Sequence, residues 1–281
     1  MQEHPWINYN GEVRSQKSFH LTPDNRAFCY GDSLFETIIA PQGNIPLWTY
    51  HWDRVNRGME ALGYEHPPHD SWQSEQLKSE IVGLLAQNGL LHQTARVKIQ
   101  VWRDAGGKYT PTQRGFHYLI ATQATAIREP KLLNAGVSET VRLHYTPWSA
   151  FKTGSALPYI QAGRERQAKG WDEIILLNEA GEVAEAGASN LFWIKNSTIY
   201  SPSITTGCLA GVTRAALLDL FQKNAKKLSI GRFPLSELQE AEHIFAVNVA
   251  GANHLCRVGG REFEPWEPLH GCWKQLYAKN A

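Results

Sequence analysis

Apolar and polar residues alternate along PWINYNGEV up to an Asn-Gly pair, the strongest short signal for a β-hairpin, so a strand pair is expected at the start of the chain. SLFETIIAPQGNIPLWT repeats the pattern and reads as two strands around the turn Pro41-Gln42-Gly43-Asn44. The period then changes. YHWDRVNRGMEALGY and SEQLKSEIVGLLAQNGL space their apolar residues for helices, while ARVKIQVWRD and FHYLIATQAT return to strands, joined by the Gly-rich AGGKYTPTQRG. AIREPKLLNAG reads as a crossing segment between domains. Beyond it, AGRERQAKG is a helix end with Gly170 just past it, and DEIILLN, EVAEA, NLFWIK and STIYSP are short strands. GVTRAALLDLFQKNAKK is helical, SELQEAEHIFAVNVAG passes from helix to strand, and EPWEPLHGCWKQLYAK closes as a helix. Strands outnumber long helices without alternating with them, so an α+β architecture is expected rather than a doubly wound sheet.

The length of 281 residues allows two domains with a core each. They are expected as a small N-terminal α/β domain over 1–120, a connection over 121–130 and a larger C-terminal domain over 131–281. Lys and Arg total 28 against 27 Asp and Glu, a formal charge of +1, so no global field draws nucleic acid or an anionic membrane. Any anion must be caught locally. Cysteines 29, 208, 256 and 272 are widely spaced with no CxxC, which argues against a disulfide framework and a zinc site. They read as buried thiols in a reducing compartment. MQEHPWINYNGEV has no basic stretch followed by an apolar run, and no segment approaches membrane-spanning length, so a cytoplasmic protein is expected.

Lys152 stands alone among small and apolar residues in TPWSAFKTGSALPY. An apolar setting disfavours the ammonium form and frees the amine to attack carbonyls, which is Schiff-base chemistry; a surface loop lysine is the ordinary alternative. CLAGVTRAALL puts Gly-Val-Thr at a helix start, where unpaired N–H groups favour an anion, although Thr213 also suits a plain N-cap. VNVAGAN leaves a strand at Asn248 and offers further backbone donors. Arg54, early in a helix, has forked donors suited to phosphate, unless it pairs with a neighbour such as Asp53. Glu185 follows a strand and precedes small residues. His66 and His69 in HPPH read as a polar loop, and no metal is called for. GxxxxGK[ST] and GxGxxG are both absent. Together Arg54, Lys152, Glu185 and Thr213 supply what pyridoxal 5'-phosphate requires: an arginine and a helix start for the phosphate, a lysine for the aldehyde, and an acid for the ring nitrogen.

The succession YGDSLFETI, YHWDRV, FKTGSALPY, WDEIILLNEAGEVAEAGASNLFWIK, IYSP and LAGVTR resembles the class IV aminotransferase family, the fold-type IV pyridoxal-phosphate enzymes, from about Gly31 to about Ala250. That family includes branched-chain and D-amino acid aminotransferases and 4-amino-4-deoxychorismate lyases. The resemblance implies a two-domain, D-amino acid aminotransferase-like fold with the cofactor between the domains, and a homodimer in which a small-domain loop reaches the partner's site. It implies Lys152 as the lysine joined to the cofactor, Glu185 on the pyridine nitrogen, and Arg54, Val212, Thr213, Val249 and Ala250 on the phosphate. Tyr30, Phe35, Thr37, Lys108 and Tyr109 would lie on the side of a small amino substrate. Ala210 replaces the family's usual Pro, and Ser33 the last Gly of Gly-Asp-Gly. FETII has Ile39 where branched-chain FEGIR has its arginine, and the WRDAGGKYTPT loop carries Lys108 and Tyr109 where the D-amino acid pattern has Arg and His. The FET run and the double glycine resemble the lyase branch most. The expected activity is therefore release of 4-aminobenzoate and pyruvate in folate biosynthesis, with Lys152 and Thr37 catalytic. A transaminase is the alternative, and a catalytically silent pyridoxal-phosphate-binding protein the third reading.

Overall fold

In a computed structural model, which describes residues 5–65 and 72–278, the chain divides into two compact units. One runs through Ile127 and takes in Phe151–Ser155; the other comprises Arg128–Ala150 and Ala156–Ala278. Lys152 thus belongs to the first unit, away from the 131–281 segment in which its position along the chain would put it. His66 and His69 lie outside the described residues.

The first unit contains β1 (Trp6–Tyr9), β2 (Glu12–Ser15), α1 (Arg26–Tyr30), β3 (Ser33–Pro41), α2 (Trp48–Ala61), α3 (Ser74–Gln87), β4 (Thr94–Arg103) and β5 (Phe116–Ala124). Its strands form an antiparallel sheet ordered β2-β1-β5-β4-β3. The expected first hairpin is present, turning through left-handed backbone at Asn10 (φ 53°) and Gly11 (φ 87°). Strand alternation sends Leu34, Ile38 and Ala40 of β3 into a core with Val55 and Met59 of α2 and Leu77, Ile81 and Leu84 of α3. Each such buried Leu or Ile contributes about 1.5–3 kcal/mol relative to exposure. Phe35, Thr37 and Ile39 alternate to the other face.

The second expected hairpin does not form. Pro41-Gln42-Gly43-Asn44 does turn the chain, but the run after it enters α2 directly, with Ile45 and Leu47 buried. Pro46 lacks the N–H a paired strand would donate. β3 pairs instead with β4 on one edge and with the Lys152 segment on the other, through the bridge Leu34↔Thr153.

The second unit contains β6 (Leu132–Leu143), α4 (Leu157–Ala168), β7 (Glu173–Asn178), β8 (Val183–Ala186), β9 (Asn190–Lys195), β10 (Thr198–Pro202), α5 (Val212–Lys223), β11 (Lys227–Gly231), α6 (Leu235–Gln239), β12 (His243–Asn248), β13 (Gly251–Val258), β14 (Arg261–Glu262) and α7 (Leu269–Ala278). Among the described residues its sheet runs β11-β10-β9-β12-β13-β6-β7-β8, with β14 on β13; β10/β11, β13/β6 and β6/β7 are parallel and the other pairs antiparallel. β6, β11, β13 and β14 are not visible in the sequence pattern. β6 begins inside the stretch expected to cross between domains, and its period breaks at a register shift between Val137 and Arg142. Glu165 of α4 holds that irregularity by accepting from Ser138 Oγ (2.7 Å), Glu139 N (2.7 Å) and Thr140 Oγ1 (2.6 Å). All four cysteines are free thiols; Cys208 is buried, but Cys29 is exposed, contrary to the expectation of buried thiols throughout. Cys29 sits on α1, a single short turn with only one buried residue, Arg26.

Candidate active site

In the first unit the Lys152 segment lies along the free edge of β3. Phe35 N donates to Lys152 O at 2.8 Å and Gly154 N to Ser33 O at 2.8 Å. At Gly58, α2 passes so close that a Cβ would lie 3.1 Å from Leu34 and 3.2 Å from Phe151, and this close approach seats the segment. Lys152 Nζ stands 4.6 Å from the centroid of the Phe35 ring, a cation–π distance. Lys98 Nζ lies 5.3 Å from the same ring; burial, with the nearby Arg96 charge, lowers its pKa. Thr37 is two residues along β3 from Phe35, on the same face, in register with Lys98.

On the opposite face of β3, Glu36 is buried and meets two side chains of α2. His51 and Arg54, three apart, share one side of that helix. Arg54 donates from Nε to Glu36 Oε1 (2.8 Å) and from Nη2 to Oε2 (2.6 Å), a forked pair, and His51 Nδ1 lies 2.6 Å from Oε2. Burial alone would raise the Glu36 pKa, but Arg54 and His51 outweigh it and hold the carboxyl at about 2. Burial keeps the His51 pKa below its ordinary value despite Glu36, aided by the charges of Arg54 and Lys152, and the Glu36 carboxylate accepts from its Nδ1. Asp53, the neighbour considered for Arg54, pairs instead with Arg57.

In the second unit, Glu185 on β8 is buried and receives three donors: Tyr159 OH (2.6 Å), Leu209 N (3.1 Å) and Asn190 Nδ2 (3.4 Å). Burial and the negative charge of Glu185 raise the pKa of Tyr159 and push the Cys208 thiol up to about 12. α5 starts at an N-cap, Gly211, that has no side-chain cap bond; Thr213 is therefore not the cap but a first-turn residue. Its Oγ1 is buried beside Tyr277, whose hydroxyl donates to Val249 O at 3.0 Å. Arg214 fixes this helix start to β10 through Ser201 Oγ (3.0 Å) and Pro202 O (2.7 Å). A helix start without a side-chain cap and a buried hydroxyl in its first turn together fit a phosphate group. Val249 and Ala250 form the turn between β12 and β13, where Ala250 N already donates to Asn248 Oδ1 at 2.8 Å.

The structure therefore sets Lys152 over Phe35, with Thr37 next along the same face of β3, and Val212 and Thr213 in the first turn of α5. Tyr30 and the exposed Tyr109 touch through their rings, centroids 5.8 Å apart, beside Lys108. Glu36, His51 and Tyr159 escaped the sequence reading. An acid on the buried side of an alternating strand signals a need for a cation, and His51 stands three residues before Arg54, but the pairing itself requires the fold.

Residues 33–251 match the model of the amino-transferase class IV family. The chain is 28% identical over 246 residues to the aminodeoxychorismate lyase of Bacillus subtilis, covering 86% of this chain and 82% of the relative. It is 26% identical over 239 residues to that of Vibrio harveyi, covering 82% and 83%. A branched-chain amino acid aminotransferase from T.th., solved with pyridoxamine 5'-phosphate, shares the fold with a TM-score of 0.85 at 22% identity, over 99% of this chain and 94% of the other. With its family's fold and a helix start fitted to phosphate, the chain belongs to the class IV aminotransferases and is a pyridoxal-phosphate-dependent enzyme.

Proposed function

We propose that the enzyme is a 4-amino-4-deoxychorismate lyase. The observation that carries this reading is a hydroxyl, Thr37, on the strand face whose neighbouring ring, Phe35, lies under the Lys152 amine. The identity to two lyases over more than four-fifths of each chain supports it. In this proposal Lys152 holds the cofactor aldehyde, Glu185 faces the ring nitrogen, and Arg54, Val212, Thr213, Val249 and Ala250 hold the phosphate. Bound there, pyridoxal phosphate supplies an aldehyde that joins the substrate amine and a ring that takes up the electron pair released beside it. Lys152 Nζ, released when the substrate amine takes its place on the aldehyde, removes the proton from the amine-bearing carbon. The bond from the substrate ring to the enolpyruvyl oxygen breaks, the ring becomes aromatic, and Thr37 relays a proton to the departing enol, giving 4-aminobenzoate and pyruvate with no water or acceptor consumed. Glu36 keeps Arg54 pointed, and Tyr159 keeps Glu185 in place.

The reading includes a cytoplasmic homodimer serving folate biosynthesis, with Tyr30, Lys108 and Tyr109 on the substrate side. The alternative is a transaminase, which needs no donor for a leaving group. Pyruvate release by the wild type without a keto acid tests the distinction, and Thr37→Val tests the role of Thr37: general acid help of about 10²- to 10⁴-fold should disappear while cofactor binding is kept. A Thr37→Val enzyme with undiminished pyruvate release overturns the role of Thr37.

A further inference from the structure

The loop between β4 and β5 carries Lys108 and Tyr109 on the surface, yet it is fastened from inside. Arg26, on α1, is 3% exposed. Its Nη1, with two hydrogens, donates to Gly106 O (2.9 Å) and Lys108 O (2.8 Å) and shares one of them with Gly107 O (3.3 Å), and its Nε donates to Asp32 Oδ2 (2.8 Å). Three neighbouring carbonyls converge on one nitrogen only because the backbone turns left-handed twice, at Gly106 (φ 127°) and Gly107 (φ 70°), where a Cβ on Gly107 would strike Thr110 O. The double glycine of AGGK thereby has a physical reason.

The clamp is anchored behind. Arg103, at the end of β4, donates from Nε to the same Asp32 oxygen (2.9 Å) and from Nη1 and Nη2 to Gly63 O (3.1 Å) and Leu62 O (2.6 Å). Burial would raise the Asp32 pKa, but Arg103 and Arg26 together lower it. On its outer side the Arg26 guanidinium lies 5.0 Å from the centroid of the Tyr30 ring, and Tyr30 touches Tyr109, which is 90% exposed. A planar fork can serve a carboxylate and several carbonyls at once; a lysine ammonium cannot reach both.

We propose that Arg26 is a positioning residue: without touching substrate, it sets the conformation of the loop that presents Lys108 and Tyr109 and so controls substrate affinity. The inference rests on the proposed substrate-side place of those two residues. Two variants of the cofactor-loaded enzyme test it, Arg26→Lys at the core and Gly107→Ala at the loop, the second sparing the buried cluster. In both, amide hydrogen exchange over 104–115, read without substrate, should quicken about tenfold or more while the rest of the unit is unchanged. KM should rise about tenfold with kcat within about twofold, and neither effect should add to that of a Lys108→Ala, Tyr109→Ala double variant. Unchanged loop exchange, or a KM effect that adds fully to the double variant, overturns the proposal. Failure of the lyase reading would appear separately, as a wild type that does not release pyruvate, and leaves the exchange measurement to decide whether Arg26 clamps the loop.

Discussion

Changing Glu36 to Gln keeps the side-chain volume and removes the charge that joins β3 to α2. A Gln offers one oxygen and turns an NH2 group toward the remaining donors, so Arg54 keeps one bond of its fork and meets a donor with the other. Two routes give the cost. Breaking a buried ion pair by removing one partner costs about 3–5 kcal/mol. Lowering the carboxyl from its ordinary 4.5 to about 2 in the fold corresponds to about 3 kcal/mol at neutral pH. Because the folded pKa is the lower one, this stabilisation is complete well above 4.5 and fades as pH falls toward 2. The gap between wild type and Glu36→Gln should therefore shrink to about half by pH 3.5. Urea unfolding followed by tryptophan fluorescence suits the measurement, since Trp48 and Trp52 lie on α2 and Trp72 packs against Trp52. A loss of about 3 kcal/mol corresponds to roughly 6–12 °C in Tm for a chain of this size. A variant within about 1 kcal/mol of wild type, or a gap that holds constant down to pH 3.5, would refute a stabilising Glu36 charge.

Thr213→Val removes a buried hydroxyl from the first turn of α5, so pyridoxal-phosphate affinity should drop about tenfold while the cofactor-free protein keeps its stability within about 1 kcal/mol; cofactor titration and thermal melts read the two. Glu185→Gln should retain cofactor and slow turnover on the order of 10²-fold, and equal activity would remove Glu185 from the mechanism. Borohydride reduction of the loaded enzyme followed by peptide mass mapping should put the pyridoxyl mass on Lys152, and a mass on any other lysine would reassign the site.

Where local chemistry decides, the sequence was legible: the Asn10-Gly11 hairpin, the helical spacing of α2 and α3, and the short strands from Glu173 to Pro202 all follow from periodicity and turn residues. It failed where a distant group sets the outcome. The broken period of β6 is held by Glu165, 27 residues from Ser138, and the run after Pro41 enters α2 instead of a strand, with Trp48 buried in the core and donating to Ser74 Oγ, 26 residues on. The candidate site divides in the same way. Lys152 and Glu185 stood out as a lysine and an acid in unusual company, whereas the pairing of Glu36 with Arg54 and of Tyr159 with Glu185 joins separate elements and needs the fold to be seen.

The most direct measurement mixes purified, pyridoxal-phosphate-loaded enzyme with aminodeoxychorismate and no keto acid, and follows pyruvate and 4-aminobenzoate together. A lyase gives both in equal amounts over many turnovers. No pyruvate, with amino donors instead converting the cofactor to its pyridoxamine form until a keto acid is added, would contradict the lyase and establish a transaminase.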